Sequence, residues 1–258
     1  MDLLESVRRY WDLDAETYDR SPDHGAATPT ESAAWSAVLS RLLPPPPARV
    51  LDVGAGTGFL TLAAARLGHR VTALDLSPGM LAHLREAAAR AGLQVEIVEG
   101  SAERPPDGPF GAVVERHLMW TLPDPAAALA AWRRVAPGGR LVLFEGVWSG
   151  VDPLERLRLQ AREAWRRLMR EPDHHHGRYD AATVAELPLA GGAHPDELVR
   201  LVERAGWAPA RIERLRDVEW ARLVGRPLVD RLIGVAPRYA ISAGGGGTKG
   251  SSGPLTPA

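Results

Sequence analysis

The segment VLDVGAGTGFL at residues 50–60 decides the fold of this 258-residue chain. Its apolar start predicts a short buried strand, and glycines at positions 54, 56 and 58 predict a tight turn into a helix. Glycine has no Cβ, so a ligand can lie against bare backbone at Gly54 and Gly56, and Gly58 lets the helix pack near the strand. Such a turn also serves plain packing. The segment therefore predicts an α/β fold, with a nucleotide site as one of two interpretations.

An acidic residue ends the next predicted strand. In RVTALDLS, Asp75 follows the glycines by roughly 20 residues, the spacing at which a carboxylate accepts hydrogen bonds from both ribose hydroxyls of a nucleotide. The alternative is that Asp75 is a solvated N-cap of a helix that begins at Pro78. Two independent features now favour a nucleoside-binding site.

Strand-like and helix-like segments alternate outward from the glycine turn. Strands are predicted at 49–53, 70–74, 95–98, 112–115, 140–145, 210–215 and 236–242. Helices are predicted at 2–20, 31–43, 60–67, 78–91, 125–135 and 195–205. This alternation predicts a parallel sheet with helices on both faces.

Composition narrows the class of protein. With 31 basic and 32 acidic residues the net charge is -1, which gives no electrostatic reason to expect nucleic acid or a membrane as partner. The absence of cysteine excludes disulfides, thiolate metal sites and cysteine nucleophiles. The first 30 residues contain no uninterrupted apolar run, so neither a secretory signal nor a membrane anchor is predicted. We expect a cytoplasmic protein, monomeric or homodimeric.

The stretch ARVLDVGAGTGFLTLAAARLGHRVTALDLSPGML resembles class I S-adenosylmethionine-dependent methyltransferases, in particular the methyltransferase type 11 branch with ubiquinone, menaquinone and many natural-product methyltransferases. The resemblance continues through VVERHLMWTLPDP, VAPGGRLVLFEG and RAGWAPARIERL. A nicotinamide-binding enzyme more usually has its third glycine two residues later and lacks the APGGRL turn. The resemblance implies a Rossmann-like, seven-stranded, mostly parallel sheet with N-terminal helices and a helical lid insertion, and S-adenosylmethionine as the cofactor.

On this basis the chain divides into five parts. These are an N-terminal helical cap (1–43), a cofactor-binding core (44–147), a helical lid insertion with a histidine-rich loop (148–190), the C-terminal part of the core (191–242) and a disordered tail (243–258). The lid is expected because the alternation stops after Trp148 and a long amphipathic helix is predicted at 153–171. Arginines and glutamates interleave along that helix, which indicates a solvated, ion-paired surface and not a nucleic-acid face.

The resemblance assigns a cofactor site. It implies Asp52, Gly54, Ala55 and Gly56 at the methionine moiety, Asp75 and Leu76 at the ribose, Met80 over the adenine, Tyr18 closing over the cofactor and Glu115 near the sulfonium. Many relatives have an aspartate after the third strand that binds the adenine amine, whereas the sequence EGSAERPP puts Ser101 there. Backbone at Ser101 and Ala102 is expected to hold the ring, with Glu103 as the alternative.

Two residues near the ends of the fourth and fifth strands are candidates for catalysis. Methyl transfer is an in-line displacement that requires an aligned acceptor and, for a hydroxyl or ammonium acceptor, removal of a proton. His117 is the first candidate for a general base or orienting group, since imidazole exchanges protons near neutral pH. The alternative is that His117 only hydrogen-bonds the cofactor or backbone. Glu145 ends the fifth strand at the same crevice, and its alternative is a buried salt bridge, for example to Arg116.

Aromatic and histidine side chains are candidates for the acceptor site. Those expected to shape its pocket are Tyr10, Trp11, Trp120, Trp148 and Trp165. We expect His174 and His176 to contact the substrate and His175 to be a second candidate base. Consecutive histidines alternate in direction, so at most two converge on one metal, and no metal ligands are assigned. A metal site completed by Asp173 or Asp180, or a solvated loop, are the alternatives.

The leading hypothesis is methylation of a small-molecule acceptor at O, N or C, in secondary or specialised metabolism such as natural product biosynthesis. The chain has no Asn/Asp-Pro-Pro-Tyr sequence after its fourth strand, which disfavours nucleic acid and protein-glutamine acceptors. Two alternatives keep the cofactor. One is a non-methylating reaction such as cyclisation or decarboxylation, and the other is a non-catalytic partner subunit that binds S-adenosylmethionine.

Overall fold

The computed structural model describes residues 2–21, 24–146 and 179–244 and, between 146 and 179, only positions 157, 160, 161, 164 and 165. Its helices are α1 (Leu3–Tyr18), α2 (Pro29–Leu42), α3 (Phe59–Arg66), α4 (Pro78–Ala91), α5 (Pro125–Val135), α6 (Ala181–Glu186), α7 (Pro195–Arg204), α8 (Arg216–Leu223) and α9 (Leu228–Ile233), with a 3-10 turn at Met119–Thr121. Its strands are β1 (Arg49–Val53), β2 (Arg70–Asp75), β3 (Glu96–Glu99), β4 (Ala112–Arg116), β5 (Arg140–Gly146), β6 (Arg211–Arg214) and β7 (Arg238–Gly244).

The strands form one mixed sheet in the order β3-β2-β1-β4-β5-β7-β6. Strands β1 to β5 pair in parallel, and β7 runs antiparallel to both β5 and β6. The strand order reverses between β1 and β4, and in such sheets ligands bind beside this point at the carboxyl ends of the strands. The predicted fold class, a mostly parallel Rossmann-like sheet with helices on both faces, is confirmed.

Three helices begin with the same local signal, a Thr, Ser or Asp cap followed by proline. Thr28, Ser77 and Asp124 each accept a hydrogen bond from the backbone N–H three residues later. Each also precedes the proline that opens α2, α4 or α5, where the missing N–H would have had no helical partner. The starts predicted for α4 and α5 are confirmed as a result.

The sheet is buried between helices on its two faces. Residues of β1 alternate between two apolar clusters, with Leu51 in the cluster around Trp132 of α5 and Val50 in the cluster around Trp35 of α2. The turn after β1 is packed just as closely. Gly58 has φ +97°, and a Cβ there would lie 2.2 Å from Leu84 Cδ1, so glycine is required for α4 to pack against the turn.

The structure differs from the sequence-based predictions in three short helices and at the end of the last strand. The helices α6, α8 and α9 were not predicted, because each has eight residues or fewer, too few to show a helical period. Strand β7 continues to Gly244, so the tail does not begin at residue 243 as predicted. The lid helix predicted at 153–171 lies almost entirely outside the described residues, and so does the rest of the tail.

Candidate active site

A cleft opens at the carboxyl ends of β1, β2, β3 and β4, beneath helix α1. Loops from these four strands and side chains of α1 contribute to its wall. The residues assigned from the sequence that line it are Trp11, Tyr18, Gly54, Gly56, Asp75, Leu76, Met80, Ala102 and His117. The fold thus brings together residues from separate segments of the chain.

The glycine turn after β1 exposes its backbone to the cleft. Gly56 has φ +54°, and a Cβ there would point to the ring of Tyr18, whose Cε1 is 4.0 Å away. The Gly56 N–H donates to Asp75 Oδ2 at 2.8 Å. Both Gly56 and Tyr18 line the cleft, so the space that a side chain would fill at position 56 is left for a ligand.

Asp75, at the end of β2, is held by backbone N–H groups. Its Oδ2 accepts from Gly56 and its Oδ1 from Ser77, each at 2.8 Å. Burial raises the pKa of Asp75, and the backbone hydrogen bonds oppose that rise because they stabilise the ionised form. The N-cap of α4 is Ser77, whose Oγ accepts from Met80 N at 3.0 Å. Asp75 is therefore not the helix cap, and its remaining lone pairs face the cleft that it lines.

Helix α1 is fastened over the cleft by two aspartates that the sequence analysis did not single out. Asp12 Oδ1 accepts from Ser77 Oγ at 2.6 Å and from Gly79 N at 3.1 Å, in the first turn of α4. Beyond the end of α1, Asp19 Oδ1 accepts from Thr57 Oγ1 at 2.7 Å, in the glycine turn. These contacts hold the aromatic face of α1 against the cleft.

Strand β4 places a cation and an imidazole at one end of the cleft. Arg116 lies over the ring of Phe59, with Cζ 4.1 Å from the ring centre, and donates to the carbonyl of His24. His117 has φ +60°, the single positive φ of a non-glycine residue in the described ranges. Such a conformation costs about 1–3 kcal/mol and persists only where the surrounding structure imposes it. The fold therefore stabilises the placement of His117 at the cleft.

The ring of His117 lies between the guanidinium of Arg238 and the carboxyl of Glu145. Its Nε2 is 3.4 Å from Arg238 Nη1, and its Nδ1 is 3.6 Å from Glu145 Oε2. A guanidinium only donates, so this contact places the imidazole hydrogen on Nδ1, facing Glu145. Burial, and after it the charges of Arg116 and Arg238, lower the pKa of His117 well below its ordinary value. The ring is therefore neutral at neutral pH.

Two acidic residues assigned to the site lie behind His117 and do not line the cleft. Glu145 Oε1 accepts from Met119 N at 3.3 Å, and Glu115 Oε2 accepts from Leu118 N at 2.8 Å. Burial raises the pKa of Glu145 to about 8. Burial, and after it the charge of nearby Glu145, raises the pKa of Glu115. Glu145 therefore favours the uncharged form at neutral pH. This position corrects the prediction that Glu115 and Glu145 contact the ligands directly. Glu145 instead lies next to His117, and His117 lines the cleft.

The loop after β3 forms the other end of the cleft. Ala102 and Glu103 line it, whereas Ser101 is buried beside it. The hydroxyl of Ser101 donates to the carboxylate of Glu103. The structure thus presents Glu103, the alternative considered from the sequence, and turns the side chain of Ser101 away.

Asp52 and Ala55, both assigned to the cofactor, lie beneath the turn and do not line the cleft. Asp52 accepts from Thr61 Oγ1 of α3 at 2.5 Å, and burial raises its pKa to about 7. Ala55 packs with Ala73 and Leu84 in a small apolar cluster. Asp52 contacts α3 at Thr61 and Ala55 packs against Leu84 of α4, so neither side chain is offered to a ligand in the cleft.

An aromatic cluster flanks the cleft around Thr121. The rings of Tyr10 and Tyr179 stack with centroids 4.0 Å apart, and Trp11 meets Trp120 edge-on at 5.9 Å. Thr121 Oγ1 lies 2.6 Å from the hydroxyl of Tyr179 and accepts from Trp11 Nε1 at 3.4 Å. Trp11 and Thr121 line the cleft, whereas Tyr10 and Trp120 do not. Tyr179 was not predicted as a site residue, because the sequence around it does not indicate its contacts with Tyr10 and Thr121.

The comparison with protein families concerns the core of the chain. Residues 51–143 match the family model described as a methyltransferase domain. This part of the chain is therefore similar to a methyltransferase domain. The ubiquinone biosynthesis O-methyltransferase of Xanthomonas axonopodis pv. citri (strain 306) is 37% identical to this chain over 141 residues, 53% of this chain and 56% of that protein. The protein of the same name from Xylella fastidiosa (strain 9a5c) is 40% identical over 109 residues, 40% of this chain and 44% of that protein. The chain thus spans about half the length of the curated relatives it matches.

Solved structures share the fold of this chain at low sequence identity. The [4+2]-cyclase SpnF superposes with a TM-score of 0.61 at 17% identity, covering 92% of this chain and 94% of that chain. Phosphoethanolamine N-methyltransferase 2 of Haemonchus contortus, in complex with S-adenosyl-L-methionine, gives 0.59 at 16% identity, covering 95% and 60%. At these identities the likeness shows the fold alone, and function has to be argued from the site.

The cleft fits S-adenosylmethionine. The backbone at Gly56 permits close approach, the carboxylate of Asp75 can accept from ribose hydroxyls, and Met80 offers apolar surface beside them. The predicted similarity to methyltransferases is confirmed for residues 51–143, and the residues that line the cleft fit the predicted cofactor.

Four of the predicted acceptor-site residues, Trp148, His174, His175 and His176, lie outside the described residues. Trp165 is half-buried at a helical position. Within residues 2–21, 24–146 and 179–244, no three His, Asp or Glu side chains are grouped so that they would hold a metal ion. In that same part of the chain, no helix combines the length and the apolar character needed to cross a bilayer.

Proposed function

We propose that this chain binds S-adenosylmethionine and transfers its methyl group to an oxygen of a small-molecule acceptor. The observation that carries the proposal is a single cleft with Asp75 and the glycine turn in its middle and Arg116 and His117 at one end. A nucleoside donor and an acceptor can therefore occupy one continuous space. The match of residues 51–143 to a methyltransferase domain supports the same reaction.

The middle of the cleft would hold the donor. When bound there, S-adenosylmethionine supplies an electrophilic methyl group. Asp75 would accept from the ribose hydroxyls, and its carboxylate is already oriented by Gly56 and Ser77. Tyr18 and Trp11 of α1 would exclude water from above, because the contacts of Asp12 and Asp19 keep that helix in place.

The end at β4 would hold the acceptor. Arg116 places a positive charge at the cleft wall, and a positive charge lowers the pKa of a nearby hydroxyl because it stabilises the oxyanion. His117 is neutral and can take the proton at Nε2, in place of its contact with Arg238. The carboxyl of Glu145 lies on the Nδ1 side of the ring, where even in its uncharged form an oxygen can accept from the Nδ1–H of the imidazolium that forms.

An oxygen acceptor is favoured over an amine. Arg116 lines this end, whereas Glu115 and Glu145 do not line the cleft, and Glu145 favours the uncharged form at neutral pH. An ammonium group would therefore lack a compensating charge there. The curated relatives, matched over about half of their length, are named O-methyltransferases. Specialised metabolism, cytoplasmic location and a monomeric or dimeric state remain predictions.

Binding of S-adenosylhomocysteine, measured by isothermal titration calorimetry, tests the donor site. Asp75→Ala and the isosteric Asp75→Asn should weaken binding about 10- to 150-fold, because hydrogen bonds to a charged group are lost. Asp107→Ala, at an exposed position outside this cleft, is the matched control and should bind like wild type. Absence of binding by the wild-type chain, or full binding by both Asp75 variants, would rule out this donor site.

Incubation with S-adenosylmethionine and a panel of phenols, enols, carboxylic acids and amines, read by mass spectrometry, tests the transfer. We expect a product that is heavier by one methyl group, together with S-adenosylhomocysteine, for an acidic hydroxyl. Products of unchanged methyl content, or tight cofactor binding without turnover across the panel, would favour the non-methylating enzyme or the binding subunit instead.

A further inference from the structure

The connection between β6 and β7 carries a concentration of exposed apolar side chains. Trp220 is 64% exposed, Leu228 68% and Leu232 73%, and Val224 and Val229 between them are exposed as well. Single apolar residues scattered over a surface need no explanation. Several large ones within residues 220–232 indicate a surface that binds another molecule.

Helix α8 presents Trp220 from a fixed position. The helix is anchored by Val218 and Ala221, which are buried. The buried carboxylate of Glu219 pairs with Arg214 at 3.0 Å and adds a second attachment to the body of the protein. Rotation of α8 to bury Trp220 would expose these groups, so the indole stays in solvent until a partner covers it.

Helix α9 leaves its apolar side uncovered. Leu228 and Leu232 are four residues apart, so their side chains lie on the same side of the helix, with Arg231 next to them. Within the described ranges, no other helix or strand packs extensively against α9. These leucines are therefore open to a binding partner.

The exposed charges of the same segment are mainly positive. Arg226 and Arg231 are exposed, and neither forms an ion pair with a described residue. Asp217 is engaged by Arg41 at 2.8 Å, which leaves the half-buried Asp230 as their acidic neighbour. The net charge of -1 for the whole chain conceals this local excess of positive charge.

We propose that residues 216–233 form a docking surface for an anionic lipid bilayer. Tryptophan and leucine side chains enter the boundary between headgroups and acyl chains, while arginines stay at the anionic headgroups. A second copy of this chain fits less well. A symmetric dimer would bring Arg226 and Arg231 of both copies to one interface, and juxtaposed like charges oppose association. Neither the donor site nor the acceptor site takes part, so the result is independent of the proposed function.

Sedimentation of the full chain with lipid vesicles tests the proposal. Wild type should bind vesicles of equal parts phosphatidylcholine and phosphatidylglycerol, and should bind vesicles of phosphatidylcholine alone at least about fivefold more weakly. Arg226→Gln should weaken binding to the anionic vesicles about fivefold, because one arginine near the charged surface contributes about that factor. Leu232→Gln should weaken it at least about tenfold, because an apolar side chain is no longer withdrawn from water.

Matched variants and a spectroscopic signal locate the contact. Leu13→Gln and Arg85→Gln make the same changes at exposed positions on α1 and α4, and should bind vesicles like wild type. All four substituted positions are exposed, so the free energy of unfolding in urea should stay near the wild-type value. The difference between the emission spectra of wild type and Trp220→Phe isolates Trp220, and it should shift to shorter wavelength on the anionic vesicles.

Three results would overturn the proposal. One is a wild type that does not sediment with the anionic vesicles, and another is equal binding by wild type and Leu232→Gln. The third comes from analytical ultracentrifugation without lipid. A dimer that Leu232→Gln dissociates, together with no vesicle binding, would assign the surface to a second copy of the chain instead.

Discussion

Replacing Gly56 by alanine separates the stability of the glycine turn from its function. Gly56 has φ +54°, and a Cβ there would meet only Tyr18 Cε1, 4.0 Å away. Gly92, at the end of α4, has φ +65° with nothing within 4 Å of a Cβ. An alanine in this left-handed conformation costs about 1–2 kcal/mol. Gly56→Ala and Gly92→Ala should therefore lose about the same free energy of unfolding in urea titrations.

Binding should distinguish the two variants. The added methyl of Gly56→Ala occupies the cleft between the turn and Tyr18, where the donor must approach the backbone. Overpacking of this kind costs about 1–3 kcal/mol, or about 5- to 150-fold in the dissociation constant for S-adenosylhomocysteine. Gly92→Ala should bind like wild type in the same calorimetric titration. If Gly56→Ala binds as tightly as Gly92→Ala, the ligand does not lie against this backbone and the reasoning is refuted.

Three further predictions concern Asp12, Glu145 and His117. Asp12→Ala removes the acceptor that ties α1 to the start of α4, so S-adenosylhomocysteine should dissociate several-fold faster in stopped-flow measurements, whereas Glu16→Ala, exposed on the same helix, should leave that rate unchanged. The pKa of Glu145 is about 8 in the folded chain against an ordinary 4.5, so its stabilising effect is complete below pH 4.5 and is lost as the pH rises through 8. Relative to Glu145→Gln, the free energy of unfolding of wild type should therefore fall by about 2–3 kcal/mol between pH 6 and 8, and a constant difference would contradict the raised pKa. Because the pKa of His117 is lowered, the acid limb of kcat/KM for an identified acceptor should lie below the ordinary imidazole value of 6.5, and a limb above it would argue against His117 as the proton acceptor.

The parts of the fold that the sequence predicted well are those governed by local rules. The Ser77–Pro78 and Asp124–Pro125 pairs mark the starts of α4 and α5, because capping and the fixed φ of proline act within one turn. The helices α8 and α9 were missed, since each is too short for a helical period to show in the sequence.

The site was predictable only in part, for a different physical reason. Asp75 was found because a fixed spacing from the glycines corresponds to a fixed place at the sheet edge. Tyr179 and Asp12 were missed because their partners are distant in sequence, and no spacing rule connects them. Glu115 was assigned to the cofactor by its place near the end of β4, but its side chain lies behind His117, and a one-residue change in strand position reverses the face.

Burial of Glu145 also affects the charge at the end of the cleft near β4, where the proposed acceptor would bind. Arg116 lines that end, and Glu145, beside His117, favours the uncharged form at neutral pH because burial raises its pKa to about 8. Were Glu145 ionised, it would offset part of the positive potential that favours an oxyanion. The advantage that Arg116 would give to an anionic acceptor should therefore weaken in alkaline solution. In the proposed reaction, the same desolvation that costs the fold stability at high pH would favour an acidic hydroxyl at this end of the cleft near neutral pH.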